Sequence, residues 1–323
     1  MVARAMVTGA AGRIGRAVLA LLAERGIEAN ALVLDDPGDL AARLVVTGDA
    51  TDATAVRAAL EGADAVIHLA AIPTPERNTA YEVFAGNSVA TFTVLEEAGR
   101  AGIRHAAVAS SWGVTGLPWT DAEDPHPPYA PVDEAMTSQV ADPYGLSKQV
   151  DEVTARMMAR RHGMSVVCLR YPYVGGFEER LRAHAARLTA DPAAGARDLW
   201  TYLEVRDAAR AALLALEVPG RAAHAVHLCA PEIIVPYPTE ELLRRYHPAT
   251  ELRSPLPGRA APVDTSAARR LLGFTAENLL DHGGGSAELR HEEAGPGDKV
   301  SPEPASVRSI DRWGEPTQCP GLS

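Results

Sequence analysis

The chain has 323 residues, 46% hydrophobic and 23% charged, enough to bury a sizeable core as one large domain or as a core with a smaller lobe. Its formal net charge of -11 disfavours nucleic acid and anionic membrane surfaces as partners. Cys168, Cys229 and Cys319 lie far apart, so neither a disulfide framework nor a metal site is expected.

Short apolar runs alternate with helical patterns from the start. Ala5-Met6-Val7 reads as a buried strand, and Ile14 to Arg25 as a helix whose inner face carries Val18, Leu21 and Leu22. Met1 to Thr8 leads straight into this unit, leaving no room for a signal peptide, and no apolar run approaches membrane-spanning length. A cytoplasmic protein is expected. Further strands are expected at Ala31 to Leu34, Leu44 to Val46 and Ala65 to Leu69, with a helix between Asp52 and Leu60. A long helix over Val83 to Ala101 leads to a fifth strand at Ala106 to Ala109. After a Pro-, Asp- and Glu-rich loop from Trp112 to Pro143 comes a helix to Arg161, then a sixth strand at Val166 to Leu169. Such repeated units imply a doubly wound parallel α/β sheet of Rossmann type.

The later pattern is less regular: a helix near Glu178 to Leu188, a strand near Leu199 to Leu203, a helix from Val205 to Leu216, the segment Ala225 to Leu228 and a helix from Ser266 to Leu272. The expected organisation is a nucleotide-binding core over 1–170, a small substrate-binding lobe over 171–282, and a tail over 283–323. In that tail Gly, Pro and Ser make up 17 of 41 residues, against 5 of Leu, Ile and Val. Too little apolar surface is present to offset ordering entropy, so disorder is expected.

The first strand opens into Thr8-Gly9-Ala10-Ala11-Gly12-Arg13-Ile14-Gly15. Glycines at this spacing permit a tight turn, close approach of backbone to a pyrophosphate, and close helix–strand packing. The helix N-terminus behind them offers free N–H groups to the phosphates. Asp35, at the end of the second strand, can accept hydrogen bonds from ribose hydroxyls and would repel a ribose phosphate; Asp36 adds to that field. NAD is therefore favoured over NADP. Arg13 could instead pair with a phosphate or stand exposed at the helix start. Asp49 is placed to reach the adenine edge beside Ala50, and Asp52 reads as a helix N-cap. Leu69, Ala70 and Ala71 offer small residues where a cofactor must pass close to backbone. His68 reads as a packed strand-end histidine.

Tyr144 and Lys148 stand one helical turn apart on one face. An ammonium there stabilises phenolate and makes the tyrosine a usable general acid–base. Ser111 ends the fifth strand, at the sheet edge where ligands bind, and can orient a substrate oxygen; Ser110 reads as a strand-end cap.

These residues together resemble the NAD-dependent epimerase/dehydratase family, the extended branch of the short-chain dehydrogenase/reductase superfamily. The resemblance runs through Thr8 to Gly15, Asp35, Gly48 to Asp52, His68 to Ala71, Asn87, Ser110-Ser111, Tyr144 to Lys148, Leu169 to Pro172, Tyr202 to Asp207 and Asp264 to Phe274. It implies that Ser111, Tyr144 and Lys148 are catalytic, that Lys148 also holds the nicotinamide ribose, that Asn87 supports the site, that Tyr171 lies at the cofactor, and that the chain forms a homodimer. Ser111 is followed by Trp112-Gly113 rather than the Asp-Glu pair of the family's sugar dehydratases, which disfavours water elimination. Gly195 to Leu203 resembles a segment of hexuronate dehydrogenases in which an arginine grips the substrate carboxylate. Arg197 would take that role or else stand exposed at a helix end, and Trp112 is a second candidate for substrate contact, although Trp112 and Gly113 depart from the polar residues found there. The implied reaction is hydride transfer between NAD and a secondary alcohol of a small sugar-like or sugar-acid substrate. The alternatives are a sugar or nucleotide-sugar epimerase and, third, an inactive NAD(H)-sensing protein.

Overall fold

The computed structural model describes residues 2–122 and 125–282. Its centre is a parallel sheet built from β1 (Arg4–Thr8), β2 (Glu28–Val33), β3 (Leu44–Thr47), β4 (Ala65–His68) and β5 (His105–Ser111). Beyond a two-residue strand β6 (Tyr129–Ala130), the sheet is completed by β7 (Ser165–Tyr171) and, past the short β8 (Tyr173–Gly175) and β9 (Tyr202–Glu204), by β10 (Ala223–His227). The seven strands lie in the order β10-β7-β5-β4-β1-β2-β3. Thr8 at the end of β1 sits in register with Leu32 on one side and His68 on the other, so three strand ends meet at one edge.

The strands are apolar on both faces, as a parallel sheet covered on both sides requires. Ala5 and Val7 of β1 pack into one core with α1 (Arg13–Glu24), α6 (Val205–Ala215) and the helix Ser266–Leu272. Met6, between them, points the other way, into a core with α2 (Ala53–Ala59), α3 (Ala80–Arg100) and α4 (Pro143–His162). This two-residue alternation fixes the register, since a one-residue slip would exchange the two cores.

The ends of the long helices are set locally. Thr79 and Glu82 form a reciprocal capping box at the start of α3. Pro143 occupies the first turn of α4, and the Asp142 carboxylate accepts from the Gly145 N–H at 2.8 Å. Gly163 closes α4 in the left-handed conformation.

Three expectations differ from what is found. Residues 171–282 do not remain in a lobe: α6 packs against α1 and β10 becomes the seventh strand of the central sheet, beside β7. The helix expected from Glu178 begins with a π-helical turn, Phe177–Leu181, before α5 (Arg182–Ala190). Leu199 and Trp200, expected in a strand, both have positive φ at the close of a 3-10 segment, Pro192–Asp198; the strand starts only at Tyr202. Burial within the fold accompanies this conformation: Trp200 is fully buried, its indole N–H donates to the Pro192 carbonyl at 2.7 Å, and it lies against Gly195, where a Cβ would come within 2.6 Å of its ring. The tail expectation for 283–323 and Cys319 lie outside the described residues. Cys168 and Cys229 are buried free thiols. No described helix is long and apolar enough to cross a membrane.

Candidate active site

A cleft of about 500 Å³ opens along the carboxyl ends of β1, β2, β3 and β4. Gly9, Ala11 and Gly12 form its floor, Leu32 to Asp35 and Gly48 to Ala50 one end, and Leu69 to Ile72 with Asn87 the other. Gly9 has φ +64°, and a Cβ there would lie 2.8 Å from both the Ala70 nitrogen and the Leu69 carbonyl carbon. The loop therefore rests on the backbone following β4, and only glycine fits. A Cβ at Gly15 would lie 2.3 Å from the Gly9 oxygen, so α1 is equally close to its loop. Gly12 caps α1 without a side-chain bond, leaving the first-turn N–H groups for a ligand.

These features fit a dinucleotide. The open helix start, with Gly12, Arg13, Ile14 and Gly15, would take the pyrophosphate. Asp35 would face the adenosine ribose, and Asp49 and Ala50 line the same end of the cleft. Asp49 is oriented by bonds from the Thr51 N–H and hydroxyl, each 2.8 Å. Arg13, open to two readings in the sequence, is occupied: its Nε donates to both oxygens of Glu179, at 2.6 and 2.9 Å. Tyr171 is placed in the core rather than in the cleft, its hydroxyl donating to the Ala208 carbonyl at 3.0 Å.

Asn87 ties the cleft to α4. Its Oδ1 accepts from the Ile72 N–H at 2.7 Å, and its Nδ2 donates to the Ile72 carbonyl and to Ser147 Oγ, both at 3.1 Å. Ser147 in turn donates to the Tyr144 carbonyl at 2.7 Å.

The three residues read as catalytic converge beside this end of the cleft. A Cβ built on Gly113 would stand 3.3 Å from Ser111 Oγ and 3.2 Å from the Tyr144 ring, so both side chains face the same α-carbon. Ser111 Oγ accepts from the Gly113 N–H at 3.0 Å, which leaves its proton free to donate. Lys148 lies beneath, its Nζ 6.0 Å from the Tyr144 ring centroid. Nζ donates to the Ala109 carbonyl at 2.9 Å and to Asp151 Oδ2 at 3.0 Å. Burial pushes this ammonium toward its neutral form, but Asp151 and then Tyr144 outweigh it, and the Lys148 pKa is raised.

His68 is a packed histidine, as the sequence suggests. Thr8 Oγ1 accepts from the Leu69 and Ala70 N–H groups, each at 3.1 Å, so its own proton goes to His68 Nδ1 at 2.7 Å. That assigns the ring proton to Nε2, which donates to Thr91 Oγ1 at 3.0 Å. Burial, then the Lys148 charge, lowers the His68 pKa to about 3. Ser110 does not face the cleft; it donates to Glu152 at 2.8 Å, and Glu152 is gripped through both oxygens by Arg170 at 2.9 Å.

Just after β5, Trp112 is buried, and its indole N–H donates to the Arg197 carbonyl at 3.1 Å. The Arg197 guanidinium donates to the Thr120 carbonyl at 2.8 Å. It thus braces the loop after β5 beside Trp112. Asp151 and the Glu152–Arg170 pair are the polar groups near the site that sequence reasoning missed. Asp151 had a signal available, since it stands three residues after Lys148 on the same helical face.

The profile of the NAD dependent epimerase/dehydratase family matches residues 5–229. The chain belongs to that family. The NAD-dependent glucose-6-phosphate dehydrogenase of Haloferax volcanii is 32% identical over 175 residues, 51% of this chain and 66% of that protein. The uronate dehydrogenase of Pseudomonas putida is 31% identical over 173 residues, 52% of this chain and 59% of that protein. The chain thus spans less than two thirds of the length of these relatives. A solved short-chain dehydrogenase/reductase superfamily protein from Agrobacterium tumefaciens, with bound NAD, superposes with a TM-score of 0.62 at 24% identity. The superposition covers 85% of this chain and 93% of that one, and shows the same fold.

Proposed function

We propose that this member of the NAD-dependent epimerase/dehydratase family carries out reversible hydride transfer at a secondary alcohol carbon of a small sugar-like or sugar-acid substrate. The observation that carries the reading is the meeting of Ser111 Oγ and the Tyr144 ring around Gly113, above Lys148 and beside the cleft. NAD, when bound, would supply the hydride acceptor. The chain's own residues would do the rest. Ser111 donates its free proton to the substrate oxygen and orients it. Tyr144 removes the hydroxyl proton in oxidation and returns it in reduction. The Lys148 charge stabilises the negative charge that develops on the Tyr144 oxygen. Asp35 selects the unphosphorylated adenosine ribose. Both curated relatives described above are named for oxidation of a sugar or sugar acid, which supports that substrate class.

We also read the exposed apolar side chains of α3 (Tyr81, Val89, Phe92) and α4 (Leu146, Val153) as the seat of a second copy of the chain. The free thiols of Cys168 and Cys229 suit a cytoplasmic setting. Light scattering showing a stable monomer at micromolar concentration would refute the dimer.

The reaction is tested by incubating the enzyme and NAD with free sugars, sugar acids and nucleotide sugars, following NADH absorbance and product stereochemistry together. NADH accumulation is expected. A changed stereocentre without NADH would make the protein an epimerase instead. Tyr144→Phe should cut turnover by about 10² or more while NADH affinity stays within a few-fold; full activity in that variant refutes the assignment.

A further inference from the structure

Asp151 follows Lys148 by three residues on α4, and the two side chains are 0% and 3% exposed. An ammonium has three N–H groups. In Lys148 one is given to Ala109 on β5 and one to Asp151, so a single N–H is left for the side on which Tyr144 stands.

The surroundings offer no other counter-charge in contact with Lys148 among the described residues. On β4, His68 is held neutral by burial and by Lys148 itself. On β7, burial pushes the Cys168 thiol well above its usual range, so it too is neutral. On α4, Glu152 is committed to Arg170 and Ser110. On α3, Thr91 brings only a hydroxyl. Asp151 is itself tied to Lys148 through Oδ2 at 3.0 Å; burial raises its carboxyl above the usual range, and Lys148 and then the Thr91 hydroxyl oppose that rise. Its Oδ1 has no partner within hydrogen-bond distance, so Lys148 is its principal compensation.

We propose that Asp151 is a positioning residue that holds Lys148 as a fixed, charged donor and leaves its last N–H for the active site. This rests on the reading of Lys148 as the group that poises Tyr144. A buried ammonium without a partner sheds its proton readily and swings among rotamers; paired on two sides it does neither.

The test is direct, because Lys148 and Lys299 are the only lysines in the sequence. Protein labelled with ¹³Cε, ¹⁵Nζ-lysine gives two side-chain signals, and Lys299→Arg assigns them. In the wild type the Lys148 signal should stay that of an ammonium past the ordinary lysine range. In Asp151→Asn it should titrate below that range. An unchanged midpoint in the variant overturns the proposal. If Asp151→Asn does not fold, Lys148→Met combined with Asp151→Asn should, since charge and counter-charge leave together; a double variant that also fails to fold overturns it as well. This arm needs no substrate, so its outcome is separate from that of the oxidoreductase reading. With a substrate in hand, Asp151→Asn should lose activity first at the alkaline end of its pH profile, whereas an equal loss at every pH would refute a positioning role.

Discussion

Gly9→Ala should damage the cofactor cleft far more than its added methyl suggests, and Gly26→Ala supplies the control. Both glycines have left-handed backbone, at φ +64° and +68°. Both substitutions therefore carry the cost of an L residue in that region, about 1–2 kcal/mol. At Gly26 nothing lies within 4 Å of the new Cβ, so the cost stops there. At Gly9 the Cβ would stand 2.8 Å from two backbone atoms of Leu69 and Ala70. No side chain can rotate away to relieve that overlap, so the strand ends must part, adding about 1–3 kcal/mol as for other overpacked sites. At roughly 2–4 °C per kcal/mol for a domain of this size, Gly26→Ala should lower Tm by a few degrees and Gly9→Ala by roughly 5–15 °C. Because Leu69 and Ala70 line the cleft, Gly9→Ala should also weaken NADH binding about tenfold or more, a loss of about 1.4 kcal/mol, while Gly26→Ala leaves it unchanged. Differential scanning calorimetry and NADH fluorescence titration read the two effects. Equal Tm losses, with NADH affinity unaltered in Gly9→Ala, would refute the close-approach argument.

Asp35→Ala should weaken NAD and narrow its advantage over NADP about tenfold or more, measured by titrating both cofactors; an unchanged ratio would remove Asp35 from cofactor selection. His68 and His227 both have pKa values lowered to about 3, first by burial. The unfolded chain takes up protons near pH 6.5 that these native rings refuse, so the stability they contribute is full above pH 6.5 and is lost as pH falls toward 3. Each contributes about 1.4 kcal/mol per pH unit inside that window. His68→Gln should accordingly flatten the acid side of a urea-denaturation stability curve by one proton's worth, and an unaltered slope would contradict the buried neutral ring. Asp142→Ala removes the α4 N-cap and should cost about 1 kcal/mol in the same assay; no loss would show that Pro143 alone sets the helix start.

The glycine loop, the acid after β2 and the Tyr–Lys pair were readable because each is a short-range pattern whose chemistry is local. The two-faced apolar strands were readable for the same reason. The place of β10 in the central sheet was not, since only its last two residues are buried and it borders one strand, so its segment reads as easily as part of a separate lobe. The left-handed Leu199 and Trp200 have no local sequence signal either. Their conformation follows from the fit of one indole against Gly195 and Pro192, a packing event rather than a propensity. Arg13 shows the same limit at the site. Its partner Glu179 is 166 residues away, and no spacing rule reaches that far.

The choice of lysine at position 148 can be argued from the same geometry. Lysine and arginine together number 31, and only two are lysines, so basic positions in this chain are almost always filled by arginine. Lys148 is nevertheless an ammonium, set in a buried space with acceptors on two sides: the Ala109 carbonyl from β5 and the Asp151 carboxylate from α4. A tetrahedral ammonium can satisfy both and still direct a third N–H elsewhere. A planar guanidinium holds its five donors in one plane, so after meeting two acceptors it cannot turn a further donor out of that plane. It would also bring extra heavy atoms to a side chain that is only 3% exposed, and overpacking of that kind moves backbone. The side chains it would move include Tyr144 and Asp151 on the same helix. Position 148 therefore suits a compact ammonium with acceptors on two sides and one donor to spare.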